Sequence, residues 1–229
     1  MALDLGAAPW PHGGMLRYFT TFDRPKPVAR GGALRAVYDA AATGWQDGIS
    51  KLGFLTAYAE VMAHTPEPAP DARVLDVGTG TGAFATAWVA RHGRPGALTL
   101  TDISPAMLEA AATRLAPART VATPLGAHVP DLPPQDVVLC AHVIEHLDDP
   151  LDALRWLHDR LAPGGTLVMA ISKPHWCTAL VRWRWGNAAF EPEHAAQMLN
   201  EAGFEDVTAH PFSAGPPSRL SHGYVARRA

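Results

Sequence analysis

Residues 74–82 read VLDVGTGTG, and the fold follows from this stretch. A short apolar run carrying Asp76 leads into glycines at the alternate positions 78, 80 and 82. Residues 83–92 then have helical character, with Phe84, Ala87 and Trp88 on one side. Strand, glycine turn and helix in that order let an α/β sheet bring its backbone close to a nucleotide-like ligand. A side chain at Gly78, Gly80 or Gly82 would block that approach or oppose the positive φ such a turn uses.

The flanking residues sharpen the reading. Asp76 stands at the C-terminal end of the first strand, where a carboxylate can accept hydrogen bonds from an amino group. A second apolar run, 98–101, ends in Asp102, close to the spacing at which a ribose-binding acid follows a turn of this kind. Two acids that each close a strand can meet both ends of one nucleoside ligand.

With these residues in view, the sequence resembles the class I S-adenosylmethionine-dependent methyltransferases. Besides VLDVGTGTG, the matching segments are LTLTDISPAML (98–108), DVVLCAHVIEHLDDP (136–150), LAPGGTLVMAI (161–171) and EAGFEDV (201–207), in the family's order. The resemblance implies a Rossmann-like α/β fold: a seven-stranded, mostly parallel sheet with a closing antiparallel hairpin. It implies that Gly78, Thr79, Gly80 and Gly82 pass beside the methionine part of the cofactor. Asp76 then lies near its amino group and Asp102 holds the ribose hydroxyls. Ile103, Met107, Ala141, His142 and Tyr38 complete the expected cofactor contacts. Many relatives place an acid just after the third strand to bind adenine, whereas this chain reads ATPLGAHVPDLP over 122–133. Thr123, a backbone carbonyl or Asp131 stand as substitutes. The rival reading is a nicotinamide-binding fold, since GTGTGA also satisfies the looser dinucleotide pattern.

The chain has 229 residues, enough for one domain with an extension, and is 48% hydrophobic. A large core is therefore expected and wholesale disorder is not. The formal net charge of −3 argues against a nucleic-acid binder working through a broad basic field. Cys140 and Cys177 make no metal-binding spacing, and Cys140 sits in an apolar run as a buried thiol would. No basic segment followed by an apolar stretch opens the chain, and no apolar run approaches the roughly 20 residues needed to span a bilayer. The expected compartment is the cytoplasm, without stable membrane insertion.

Residues 1–70 are expected to form a tail and a helical cover, and 71–229 the core. Pro9, Pro11, Pro25 and Pro27 make regular structure unlikely throughout the first thirty or so residues. Tyr18, with its aromatic neighbours, suits either a loose tail or a flap over a ligand. Helical spacing at Leu34, Val37, Tyr38 and Ala41 predicts a helix over 33–42, and a second set predicts one over 49–64. Tyr38 and Trp45 are candidates for lining the pocket, or else for aromatic packing between the two helices. Ser104-Pro105 and Asp149-Pro150 read as capped helix starts. Pro163-Gly164-Gly165 reads as a helix stop, and 211–218 as a loop between the last two strands.

Methyl transfer needs a base only where the acceptor must lose a proton, and imidazole titrates near neutrality. His142 and His146 lie in the loop after the fourth strand, at the carboxyl ends where open α/β sheets bind ligands. They are the catalytic candidates. His142, Glu145, His146, Asp148 and Asp149 also offer metal-ligating groups, and VIEHLDDP looks like the corresponding loop of ubiquinone-pathway O-methyltransferases. Ligands so close on one loop rarely converge, so no metal is assigned. The insertion 173–190 carries Trp176, Trp183, Trp185 and Phe190 among basic residues. It reads as an aromatic pocket wall, as ordinary packing, or as a patch touching lipid. Trp45, Trp176, Trp183 and Tyr18 are the candidate substrate contacts. The function expected is methyl transfer from S-adenosylmethionine to oxygen or nitrogen of a small, partly apolar molecule. A cofactor-binding regulatory protein without turnover is the alternative, with the NAD-dependent oxidoreductase behind it.

Overall fold

A computed structural model describes residues 32–175 and 188–229. Tyr18, Trp176, Trp183, Trp185 and Cys177 lie outside the described residues. The chain opens with α1 (Gly32–Lys51) and α2 (Phe54–Met62), then alternates strand and helix. It continues through β1 (Arg73–Val77), α3 (Ala83–His92), β2 (Ala97–Asp102), α4 (Pro105–Leu115), β3 (Arg119–Ala122) and β4 (Gln135–Ala141). A 3-10 turn (Ile144–His146) leads to α5 (Pro150–Arg160) and β5 (Leu161–Ser172). The chain closes with α6 (Pro192–Glu201), β6 (Phe204–Pro211), α7 (Gly215–Leu220) and β7 (Ser221–Arg228).

The seven strands form one sheet in the order β3-β2-β1-β4-β5-β7-β6. The first five are mutually parallel, and β7 runs antiparallel to both β5 and β6. The doubly wound dinucleotide fold continues 3-2-1-4-5-6 in parallel, so the antiparallel strand wedged beside β5 argues against the nicotinamide reading.

Alternation along the strands divides the interior into two cores, one on each face of the sheet. Val74 of β1 and Val168 and Ala170 of β5 face one core, shared with Phe54, Tyr58 and Val61 of α2 and Phe84 and Trp88 of α3. Leu75, Val77, Leu167, Met169 and Ile171 face the other, with Leu154 and Leu157 of α5 and Leu199 of α6. With both faces covered, the polar ends of the central strands are the places left for a ligand.

Local signals set most boundaries. Ser104 accepts the Met107 amide and Asp149 accepts the Asp152 amide, and proline occupies the first turn of α4 and α5. Four expectations need correction. The first helix does not stop at 42 but runs to Lys51, and the second begins at Phe54 after Gly53 takes a left-handed φ of 85°. Helix α5 ends at Arg160, ahead of Pro163-Gly164-Gly165, which falls inside β5. Pairing with β4 is irregular there, passing from Gln135↔Leu161 to Val137↔Thr166. The stretch 211–218 is not all loop, since α7 begins at Gly215.

Leu154 is fully buried in the α5/α6 core. Leu154→Ala is expected to cost about 2–5 kcal/mol in urea unfolding, and Leu151→Ala on the half-buried flank clearly less.

Candidate active site

The site grows from the glycine turn after β1. Gly78 has a φ of 64°, and a Cβ there would stand 2.3 Å from Val143 Cγ2, so neither the backbone nor the space admits a side chain. Gly80 is held for another reason. Its φ is 52° and its amide donates to Asp102 Oδ2 at 2.9 Å. The Thr79 amide donates to the Thr101 carbonyl at 2.9 Å, which fixes the turn to the end of β2.

Asp76 lies beneath this turn and is 1% exposed. The Thr79 hydroxyl donates to its Oδ2 at 2.5 Å, while Oδ1 is buried without a hydrogen-bond partner. Burial pushes the carboxyl up to about 7; Asp102 adds to the rise, and the Thr79 hydroxyl and Ala85 amide hold it down. Asp102 closes β2 and receives the Gly80 amide on Oδ2 and the Ser104 amide on Oδ1 at 2.8 Å. Burial raises its carboxyl, and those amides oppose the rise. Each oxygen keeps a lone pair beyond its protein bond.

Helix α1 lies over the turn and is tied down by polar contacts. The Ser104 hydroxyl donates to Asp39, and the Thr81 hydroxyl donates to Gln46 Oε1 at 2.7 Å. Arg114 reaches Gln46 Oε1 at 2.9 Å and the Thr81 carbonyl at 2.7 Å. Tyr38 packs edge-on against Trp45 at 5.6 Å, and its hydroxyl meets His146 Nε2 at 3.0 Å. The Trp45 indole nitrogen would be 3.8 Å from a Cβ on Gly80. Tyr38 and Trp45 therefore flank the glycine turn together, in edge-to-face contact with each other. Burial, then Asp102 and Glu145, hold the Tyr38 hydroxyl well above its ordinary value.

The far wall is the loop after β4. His142 has a positive φ of 58°, a conformation that costs energy outside glycine and persists only where its surroundings enforce it. Its amide donates to the Ala170 carbonyl at 2.9 Å. Its ring stands edge-on to Phe54 at 5.4 Å and tilted to Tyr58 at 6.3 Å. Nδ1 lies 3.1 Å from Ser172 Oγ and 3.3 Å from Glu145 Oε1, and Nε2 is buried with no partner.

Among the other expected cofactor contacts, Ile103 and Ala141 are half-buried at the ends of β2 and β4, and Met107 is fully buried in the first turn of α4. Asp131, offered for the adenine, is exposed, and the Thr123 amide is spent on the Asp102 carbonyl at 2.9 Å. Cys140 is a buried free thiol. Among the described residues no group of three or more histidine, cysteine, aspartate and glutamate side chains is arranged to hold a metal ion. Nor is any helix among them long and apolar enough to cross a membrane.

This arrangement has relatives. A family model described as a methyltransferase domain matches residues 75–167. The ubiquinone biosynthesis O-methyltransferase of Xanthomonas campestris is 34% identical over 106 residues, 44% of this chain and 43% of that one. Both matches are consistent with a class I S-adenosylmethionine-dependent methyltransferase. The chain spans less than half the length of the curated relatives it matches.

Two solved structures show how far the methyltransferase fold extends. A possible histamine N-methyltransferase from Thermotoga maritima superposes with a TM-score of 0.66 at 18% identity, over 85% of this chain and 99% of that one. The 1,6-didemethyltoxoflavin-N1-methyltransferase of Burkholderia thailandensis superposes with a TM-score of 0.65 at 19% identity, over 90% and 93%. S-adenosylmethionine fits the residues present. Asp76 offers an unpaired buried oxygen, Asp102 keeps free lone pairs, and at Gly80 nothing stands nearer to a would-be Cβ than the Trp45 indole nitrogen at 3.8 Å.

Further residues frame this site, of which only Glu145 stood out in the sequence. Asp39 and Gln46 fasten the cover, Phe54 and Tyr58 flank His142, and Ser172 and Glu145 grip its ring. The Glu145 spacing of three residues from His142 was a usable signal; Ser172, thirty positions away, left none.

The raised Asp76 carboxyl makes stability depend on pH. Folded, it keeps its proton up to about pH 7; unfolded, it reverts to its ordinary value of 3.8. The folded chain therefore binds more protons between those limits, and stability falls as pH rises through that window. Asp76→Asn removes this penalty. Without ligand, its melting temperature is expected to exceed the wild type's at pH 8 by several degrees, about 1–4 kcal/mol. The gap should close towards pH 4 in a thermal scan.

Proposed function

We propose that this chain transfers the methyl group of S-adenosylmethionine to oxygen or nitrogen of a small, partly apolar molecule. The observation that carries this reading is the buried, unpaired Asp76 oxygen beneath a glycine-rich turn, with Asp102 across it. When bound, the cofactor supplies a sulfonium methyl group, which is already activated for displacement. The protein's task is then mainly placement.

Asp76 receives an ammonium group, and Asp102 receives a pair of vicinal hydroxyls. Gly78, Thr79, Gly80 and Gly82 let the backbone approach, while Ile103, Ala141 and His142 border the same crevice. Met107 acts from below, since it is fully buried. Tyr38 and Trp45 close the crevice from α1, with Trp45 on the substrate side. Tyr18, Trp176 and Trp183 are proposed substrate contacts on sequence grounds alone.

Of the two histidines, His142 takes the part of the base, because its Nε2 is uncommitted. His146 Nε2 is engaged by Tyr38, so its part is to hold the cover. The oxygen acceptor is supported by the name of the ubiquinone-pathway relative, and the nitrogen acceptor by the names of the two structural relatives. A small acceptor suits a crevice walled by α1, α2 and the β4 loop. The negative net charge suits neither a nucleic-acid substrate nor an anionic surface.

The test is radiolabelled methyl transfer from S-adenosylmethionine to a panel of phenols, catechols and aromatic amines. Labelled product from wild type is expected, with kcat/KM for the donor reduced about 10–100-fold in Asp102→Ala through loss of hydrogen bonds to a charged group. Donor binding with no product from this panel or from cell extracts would instead favour a regulatory protein.

A further inference from the structure

Three side chains from separate elements meet behind the crevice. Glu145 sits on the 3-10 turn after β4 and its side chain is 1% exposed. The Ser172 amide, at the end of β5, donates to Glu145 Oε1 at 2.6 Å, and the Ala188 amide donates to the Glu145 carbonyl at 2.8 Å. The same Oε1 faces His142 Nδ1 at 3.3 Å, and Ser172 Oγ lies 3.1 Å from that nitrogen. Burial alone would raise the Glu145 carboxyl, but the His142 contact and the Ser172 amide outweigh it, and the carboxyl stays below its ordinary value.

An ionised carboxylate only accepts hydrogen bonds. The ring nitrogen facing it therefore carries the proton, and the other ring nitrogen bears the lone pair. We propose that Glu145, with Ser172, is a positioning residue that fixes His142 as the Nδ1–H tautomer and directs Nε2 at an acceptor arriving as a neutral hydroxyl of the phenol or enol class. This rests on the reading of His142 as the base. The buried, unpartnered state of Nε2 is then a site held open for the acceptor's O–H.

The acceptor class follows from the local field. Tyr58 is a phenol beside His142, and burial, then Glu145 and Asp76, hold its hydroxyl well above the ordinary value. A phenol placed in the same crevice is likewise desolvated and meets the Glu145 charge, so it does not ionise beforehand. An anionic acceptor is repelled, and a basic aliphatic amine is held as its unreactive ammonium. A neutral hydroxyl suits the field if a base takes its proton as transfer proceeds. The O–C bond forms as the C–S bond of the donor breaks, with that electron pair remaining on sulfur. The hydroxyl proton passes to Nε2 and leaves later to water. Glu145 stabilises the transient imidazolium, as a buried carboxylate does in other histidine-based sites.

The tautomer can be read directly, without any acceptor. Full-length protein labelled with 15N-histidine is examined by long-range proton–nitrogen correlation near pH 8.5, with His142→Asn assigning the signal. Wild type is expected to show protonated Nδ1 and bare Nε2. Glu145→Met, which removes the acceptor at similar volume, is expected to shift the population towards Nε2–H. Glu145→Gln, which keeps an acceptor oxygen, should restore the wild-type pattern. With a phenol substrate, kcat should fall about 100-fold in Glu145→Met, while affinity for S-adenosylhomocysteine stays within about twofold. An Nε2–H tautomer in wild type overturns the proposal whether or not the variants fold, and so does a Glu145→Met tautomer identical to wild type. Absence of methyl transfer with the expected tautomer intact would overturn the base reading of His142 and leave the Glu145 contact standing.

Discussion

Asp76 has almost no contact with solvent, yet it stands where the chain leaves β1 for a turn of positive-φ backbone. A buried carboxyl with one oxygen unpaired is costly unless something else meets it. The turn supplies a single hydroxyl, from Thr79, and the β2 end brings a second acid rather than a cation. The surrounding structure can be understood as the support for that unfavourable group. Gly78 must be small because Val143 presses on it, and Gly80 must turn so that its amide reaches Asp102. Much of the polar cover from α1 serves residues of this turn or of the turn after β2.

The two hydrophobic cores make this tolerable. Alternate residues of β1 and β5 feed opposite faces, so the central strands are locked on both sides while their carboxyl ends remain polar. The β4 loop exploits the same rigidity. His142 holds a left-handed backbone because the Ala170 carbonyl, Ser172 and Glu145 pin both its main chain and its ring.

Much of this was legible in the sequence because it is local. Helix α3 has the limits its residues suggest, and Ser104 and Asp149 cap the helices they announce. The strand-ending acids and the glycine spacing marked the turn whose Gly80 amide meets Asp102. Non-local features did not show. Glycine weakens a helix interior, yet α1 passes through Gly44 and Gly48. Polar ties from Gln46 and Asp39 to distant segments offset the weak propensity. The GPPS run read as loop, although proline suits the first turn of α7. The grip on His142 joins two strand ends far apart in sequence, so only Glu145, three residues away, left a trace.

The central claim is that Asp76 and Asp102 together bind one nucleoside bearing an ammonium group. The most direct measurement is calorimetric titration of the wild type with S-adenosylhomocysteine near pH 7, in two buffers of different ionisation enthalpy. Pairing an ammonium with Asp76 draws its carboxyl down from about 7, so binding should release about half a proton. The account predicts saturable binding whose heat depends on the buffer in that sense. Binding without proton release would contradict the role given to Asp76, and an absence of binding would contradict the site as a whole.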